Sequence, residues 1–185
     1  MKVAKVFLSI IIVIVVVALA LMSGAGFFEK VTVSERDMGP FTLIYMEYKG
    51  PYNQTGKVFA KVYEICKTVG VSTARGIGIY LDNPRTVAAD QLRSECGSVL
   101  EGKDLLKIPA LLGKGLKVQL LPREASLVAE FPLKNGLSYM IGPAVSYRVL
   151  MKYAKQKNFK DGPVYELYDI PAKKIYYVMK KISSE

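Results

Sequence analysis

Glu166 is the residue with the clearest chemical potential, because it sits inside the run Val164-Tyr165-Glu166-Leu167-Tyr168. A strand with that sequence carries Glu166 on the same face as Val164 and Tyr168. A carboxylate on an apolar strand face beside a tyrosine can hold a cation or act as a general acid or base. A solvent-facing glutamate is the plainer alternative, and the run alone does not separate the two. Tyrosine is plentiful, at 12 residues, and most of these rings read as core or rim positions with hydroxyls reaching solvent. Histidine is absent, which excludes serine–histidine–acid and cysteine–histidine nucleophile systems and histidine-bound metals. Cys66 and Cys96 cannot build a zinc site alone; they read as small buried hydrophobes or, in an oxidising compartment, as one disulfide. Gly76-Ile77-Gly78 and Gly113-Lys114-Gly115 lack the spacing of a phosphate loop. No cofactor and no metal are expected.

The elements that must position Glu166 fall into two similar series. Runs rich in β-branched and aromatic residues at Val31–Arg36, Phe41–Tyr48, Arg75–Leu81 and Leu92–Val99 predict strands. Between the second and third, Val58, Phe59, Val62, Tyr63, Cys66 and Val69 recur at helical spacing, predicting a helix over Asn53–Val69 with Asn53 as its cap. Asn53-Gln54-Thr55 also fits a glycosylation acceptor, for which capping is the better reading. The second series has strands at Ser126–Phe131, Leu137–Ile141, Val164–Tyr168 and Lys174–Met179, with a helix over Pro143–Lys157. Gly50-Pro51 matches Gly142-Pro143, and the turn at Asp82 matches that at Asp169, which makes Ile79 the counterpart of Glu166. Leu105–Gly113 reads as a connector with a short helix, and Lys117–Leu121 as a strand belonging to neither series. The expected fold is α+β: duplicated strand-strand-helix-strand-strand units, about 28–100 and 124–182, in a mainly antiparallel sheet with both helices on one face. A groove along the join of two such units is a natural ligand site.

Residues 1–26 read as a membrane anchor and linker lying outside that fold, and 27–185 as the domain. Val6–Met22 is an almost unbroken apolar run spanning about 25 Å as a helix. A cleaved signal peptide is the competing reading; the run exceeds the usual signal core of about 7–15 residues, which favours a retained transmembrane helix. Lys2 and Lys5 lie closer to the run than Lys30 and Arg36 do, which places the N-terminus in the cytoplasm and the domain outside it. The formal charge is +10. Lysines are scattered, no nucleic-acid module interrupts them, and no nucleic-acid partner is expected. The basic stretch from Lys152 through Lys160 to Lys181 reads as a solvated face, with contact to membrane lipid as the alternative.

Gly50-Pro51-Tyr52, the strand and turn Gly78-Ile79-Tyr80-Leu81-Asp82-Asn83-Pro84, and Glu166-Leu167-Tyr168 together resemble the gyrase-inhibitory-protein-like (GyrI-like) small-molecule-binding family. The likeness covers about Phe28 to Ile182. A nearer likeness, through the anchor, Gly56, Phe59, Val87, Arg93, Gly97 and Ser98, is to testis-expressed, membrane-anchored receptors for endoplasmic-reticulum autophagy. Such receptors carry their partner motif on a C-terminal tail, and the sequence stops at Glu185, so fold and anchor are carried over and the autophagy role is not. The resemblance implies a pocket in which Glu166, with aromatics around it, holds cationic or aromatic compounds. It matches Glu166 and Tyr168 directly, and Tyr52 and Tyr80 more loosely. Some similar proteins hydrolyse strained electrophilic rings with a glutamate and a tyrosine. Three functions remain: a membrane-anchored small-molecule-binding domain without clear catalytic machinery, a hydrolase of reactive small molecules, and a tethered adaptor for an unidentified protein partner.

Overall fold

In the computed structural model, which describes residues 2–159 and 163–181, alternating apolar and polar residues build eight strands that share one antiparallel sheet. Lys160 of the basic stretch and Ile182, the expected end of the second unit, lie outside the described residues. The chain runs α1 (Lys2–Gly24), β1 (Thr32–Met38), β2 (Phe41–Lys49), α2 (Thr55–Thr68), β3 (Arg75–Tyr80) and β4 (Arg93–Leu100). It continues through α3 (Ile108–Leu112), β5 (Lys117–Leu121), β6 (Glu124–Pro132), α4 (Ser138–Gln156), β7 (Val164–Asp169) and β8 (Lys174–Lys180). The strand order is β1-β6-β8-β7-β3-β4-β2-β5.

That order reads the same from either edge once the units are exchanged, so the duplication is real, with two corrections to the expected boundaries. The unplaced segment Lys117–Leu121 is β5, the first strand of the second unit. It pairs with β2 of the first unit, just as β1 pairs with β6 of the second. Leu137–Ile141 is not a strand: Ser138 opens α4, and the helix runs five residues ahead of Pro143. Five residues with mixed propensity do not distinguish a strand from a first helical turn. Gly142 therefore lies inside α4, whereas Gly50 sits in the loop after β2, and the two are not equivalent. Their shared Gly-Pro dipeptide serves different purposes.

Pairing registers give the true equivalence. One row of residues crosses the sheet as Met46, Cys96, Gly78, Glu166, Tyr177 and Ala129, each directly opposite the next in the pairing register. Folding that row at its centre superposes Gly78 on Glu166, Cys96 on Tyr177, and Met46 on Ala129. Ile79 is thus not the counterpart of Glu166. It pairs with Tyr165 and points to the opposite face.

Both long helices cover the face that carries this row. On α2, Val62 and Cys66 are buried four residues apart. On α4 the buried stripe is Ser138, Gly142, Ser146, Leu150 and Ala154, again every fourth residue. Its small members let the helix lie close to β6 and β8. Gly142 touches the ring end of Tyr177, where any side chain would overlap the tyrosine hydroxyl. The other sheet face buries Leu43, Tyr45, Ile77, Ile79, Val99 and Leu167. Cys66 and Cys96 are buried free thiols, with burial pushing Cys96 up to about 11. Asn53 does not cap α2; it sits in a short 3-10 turn, and the Thr55 hydroxyl donates to the Tyr52 carbonyl instead.

The apolar α1 is long and hydrophobic enough to cross a membrane and none of its span is buried by the domain. Its end is docked. The Ser138 hydroxyl donates to the Ala25 carbonyl at 3.1 Å and the Asn135 amide to the Gly24 carbonyl at 3.0 Å. Ala25 is fully buried. Fold contacts therefore begin before residue 26, earlier than the linker reading allows.

Candidate functional site

β7 lies beside β3 at the centre of the sheet, where Glu166, expected on the face of Val164 and Tyr168, points under the helices. It is only 4% exposed. Its Oε1 accepts a hydrogen bond from the Tyr147 hydroxyl at 2.7 Å, and its Oε2 accepts one from the Tyr168 hydroxyl. Tyr147 arrives from the middle of α4. Among the described residues no lysine or arginine pairs with Glu166, although ten ion pairs are formed elsewhere. A carboxylate taken from water without a countercharge is costly in its ionised form. Burial accordingly raises the Glu166 carboxyl above its ordinary value, and the Tyr168 and Tyr147 hydroxyls offset this only in part.

Aromatic rings surround the carboxylate. Tyr168 meets Phe59 of α2 edge-on with centroids 5.6 Å apart, and Tyr139 of α4 at 5.5 Å. Tyr80, the counterpart of Tyr168, places its hydroxyl 3.4 Å from that of Tyr168. Tyr147 packs on Tyr177 at 5.2 Å. Burial first, then the negative charge of Glu166, raises the phenols of Tyr80, Tyr147, Tyr168 and Tyr177 well above ordinary tyrosine. None of the four can serve as a base here, and Tyr147 and Tyr168 donate hydrogen bonds to Glu166. Two buried hydroxyls, Tyr177 and Ser146, have no partner among the described residues. Gly78 makes room for all this: a Cβ there would lie 3.1 Å from the Phe59 ring and 3.2 Å from the Tyr80 hydroxyl.

The group opens into a cleft of about 1980 Å³ between α2 and α4, walled by Phe59, Tyr63, Met140, Tyr147, Met151 and Tyr168. The structure brings three of the four sequence-derived residues together: Glu166, Tyr168 and Tyr80. Tyr52 lies at the lip, its ring edge-on to Tyr80 at 4.8 Å. Its hydroxyl accepts the Asp82 N–H at 3.0 Å and lies within donating distance of the Asp82 and Arg93 carbonyls. Tyr52 is thus a pin for the turn after β3, a turn also held by the Asp82 carboxylate on the Arg93 guanidinium at 2.8 Å. Sequence reasoning missed Tyr147 and Tyr139 as site residues. Their signal is a second helical stripe, Tyr139, Pro143 and Tyr147, beside the buried small-residue stripe of α4. Among the described residues no cluster of His, Cys, Asp and Glu could hold a metal ion.

These features define the class by fold: α+β, with an open, eight-stranded antiparallel sheet built from two swapped units and a helix over each. The crystal structure of the EcmrR C-terminal domain matches with a TM-score of 0.57 at 9% identity, covering 84% of this chain and 99% of that one. An integron cassette protein from the mobile metagenome of Vibrio cholerae matches at 0.54 and 9% identity, covering 83% of this chain and 100% of the other. Likeness at that identity shows the fold alone. In sequence, this chain is similar to human Testis-expressed protein 264, with 26% identity over 166 residues, 87% of this chain and 51% of the relative. The chain therefore spans about half the length of that relative. No protein-family model matches it.

Proposed function

We propose that the chain is a membrane-anchored small-molecule-binding domain whose cleft holds a cationic, aromatic ligand against Glu166. The observation that carries this reading is the buried carboxylate, bonded to two tyrosine hydroxyls and paired with no lysine or arginine among the described residues, at the base of an aromatic cleft. A bound cation supplies the missing countercharge, while ring faces supply cation–π attraction. The fold supports the reading, since the GyrI-like resemblance implies small-molecule binding at the join of the two units. Tyr168 and Tyr147 orient the carboxylate, Tyr80 backs Tyr168, and Tyr52 shapes the lip. The apolar helix near the N-terminus supports the tether.

N-methylacridinium and neutral acridine, at mildly alkaline pH, have nearly the same shape and opposite prospects at this site. Fluorescence titration should show Glu166→Gln weakening N-methylacridinium by about one to two decades, the worth of a charge-assisted contact. Acridine should bind both proteins alike. Because Glu166 is more readily protonated than an ordinary carboxyl, wild-type affinity for the cation should rise with pH through its titration. Equal binding of N-methylacridinium by wild type and variant ends the proposal.

A further inference from the structure

The anchor and the cleft meet at one place. The first turn of α4 receives the end of α1: Ser138 holds the Ala25 carbonyl, and Asn135 holds that of Gly24. Gly26 packs on Pro132 and Phe131, and Lys134 pairs with Glu29. With Ala25 fully buried, there is no free linker between the apolar helix and the domain. The next two residues of that turn, Tyr139 and Met140, line the cleft while remaining 44% and 75% exposed. Exposed Phe27 and Phe28 follow the docked Ala25 in the chain, exposed Leu137 precedes Ser138, and Ile170 joins Tyr139 at the cleft wall. Solvent-exposed apolar residues contiguous with a membrane-length helix mark a surface suited to the bilayer interface, where aromatic rings and lysine stems are favoured.

From that turn the cleft face of α4 continues through Ala144 and Tyr147 to Met151. Tyr139 and Tyr147 are two helical turns apart, about 12 Å along the axis. From the mouth at Tyr139 the path inward passes Tyr168, whose ring lies 5.5 Å from that of Tyr139 and whose hydroxyl bonds the buried Glu166, and it is walled also by Met140 and Phe59. A polar solute gains little from such a path, whereas an amphiphile matches both of its ends.

We propose that the cleft is loaded from the bilayer: its ligand is an amphiphile whose cationic head reaches Glu166 while its apolar tail stays at the membrane surface beside Tyr139 and Met140. This rests on the anchored, cation-binding reading above and names the ligand class for the same site. The docked anchor fixes the mouth against the lipid, so the ligand partitions into the membrane first and enters sideways. Local enrichment in the bilayer then raises its effective concentration at the mouth.

The full chain contains no tryptophan, so an introduced one reports its own surroundings. In phosphatidylcholine vesicles, Met140→Trp emission should be quenched by lipids brominated high on the acyl chain, while Lys155→Trp, at the far end of the same cleft, should not. Absence of quenching at Met140→Trp, or equal quenching at both, overturns the membrane-facing mouth whatever the ligand. A second measurement uses a flexible Gly-Ser insertion of about twelve residues between Met22 and Ser23, enough to lift the docked unit by roughly 20 Å. Binding of N-dodecylacridinium from vesicles should fall about tenfold or more with the insertion, while N-methylacridinium added from water keeps its affinity. Unchanged binding of both probes overturns lateral loading and leaves the carboxylate site standing. Failure of the uninserted chain to bind N-methylacridinium overturns the site itself, and the loading inference with it.

Discussion

β3 and β7 run side by side at the centre of the sheet, related by the exchange of the two units, and yet they present different chemistry to the helices. β3 offers Gly76, Gly78 and Tyr80; β7 offers Val164, Glu166 and Tyr168. The next strands out diverge in the same way, with Cys96 on one side and Tyr177 on the other. Duplication supplies two equivalent backbones, but two carboxylates at the central row would face each other as buried like charges, which is strongly unfavourable. The glycine half provides space and the glutamate half provides charge. The site arises where the copies differ, on a scaffold that exists because they agree.

The largest effect should come from forcing the first half to resemble the second at a position where the backbone forbids it. Gly97 is equivalent to Val178, as their neighbours Tyr45 and Ile77 are to Val128 and Tyr165. A Cβ on Gly97 would overlap the Ile44 carbonyl, which is backbone and cannot swing aside. Gly97→Ala should cost about 3 kcal/mol or more in urea unfolding, an overpacking penalty at the high end of the usual range. Val178→Ala, in the roomier half, should cost less, about 1–2 kcal/mol for the lost methyl groups. If the two substitutions cost the same, the strands of the two halves are spaced alike and the asymmetry is confined to side chains.

A smaller effect compares the tyrosine pair. Tyr168 donates to Glu166, whereas Tyr80 makes only the 3.4 Å contact with Tyr168. Tyr168→Phe should cost about 1.5–3 kcal/mol where Glu166 is ionised, and Tyr80→Phe about 0.5 kcal/mol. Chemical denaturation of the two variants in parallel checks this. Equal losses would mean that the carboxylate draws on both halves equally.

The same contrast explains what could be read before the structure was known. Strand positions were legible at β2, β3, β4, β7 and β8, because period-2 alternation and bounding Gly, Pro and Asp depend only on local sequence. Glu166 and Tyr168 share a face by the same alternation along one strand, whereas Tyr80 was named only through the resemblance. β5 was not assignable, because Lys117–Leu121 finds its partner across the swap in β2, a long-range pairing with no local signature. The start of α4 was misread where Pro143, tolerated in the second turn, imitates a helix start. Tyr147 escaped notice because its role depends on a helix–strand contact 19 residues apart in sequence. Tyr52 was named through the resemblance of Gly50-Pro51-Tyr52, a motif that carries no sign that its hydroxyl bonds backbone groups of the turn after β3.

The smallest effect isolates the charge itself, through the pH dependence of stability. The Glu166 carboxyl is raised by burial above its ordinary value of 4.5. In the interval between that value and the raised one, the folded chain holds a proton that the unfolded chain has released. Stability therefore falls as pH rises through this interval, by up to about 1.4 kcal/mol per pH unit, and is flat on either side. Carboxylates held low by partners, such as Glu130 beside Lys174, act in the opposite sense, losing stability as pH falls toward acid. They are common to wild type and Glu166→Gln, so the difference between the two proteins isolates Glu166. Glutamine keeps the shape, and the hydroxyls of Tyr147 and Tyr168 can rotate to meet an amide. Wild type and variant should be close in stability at acidic pH, with the variant gaining steadily as pH rises from 4.5 and then holding its lead. Gly78→Ala, across the row, should show no such pH-dependent difference from wild type, since it adds bulk and no charge. Urea midpoints taken across a pH series for the three proteins test the comparison. A Glu166→Gln curve parallel to wild type would place the carboxylate in contact with solvent or a countercharge, and the two halves would then be alike in charge as well as in fold.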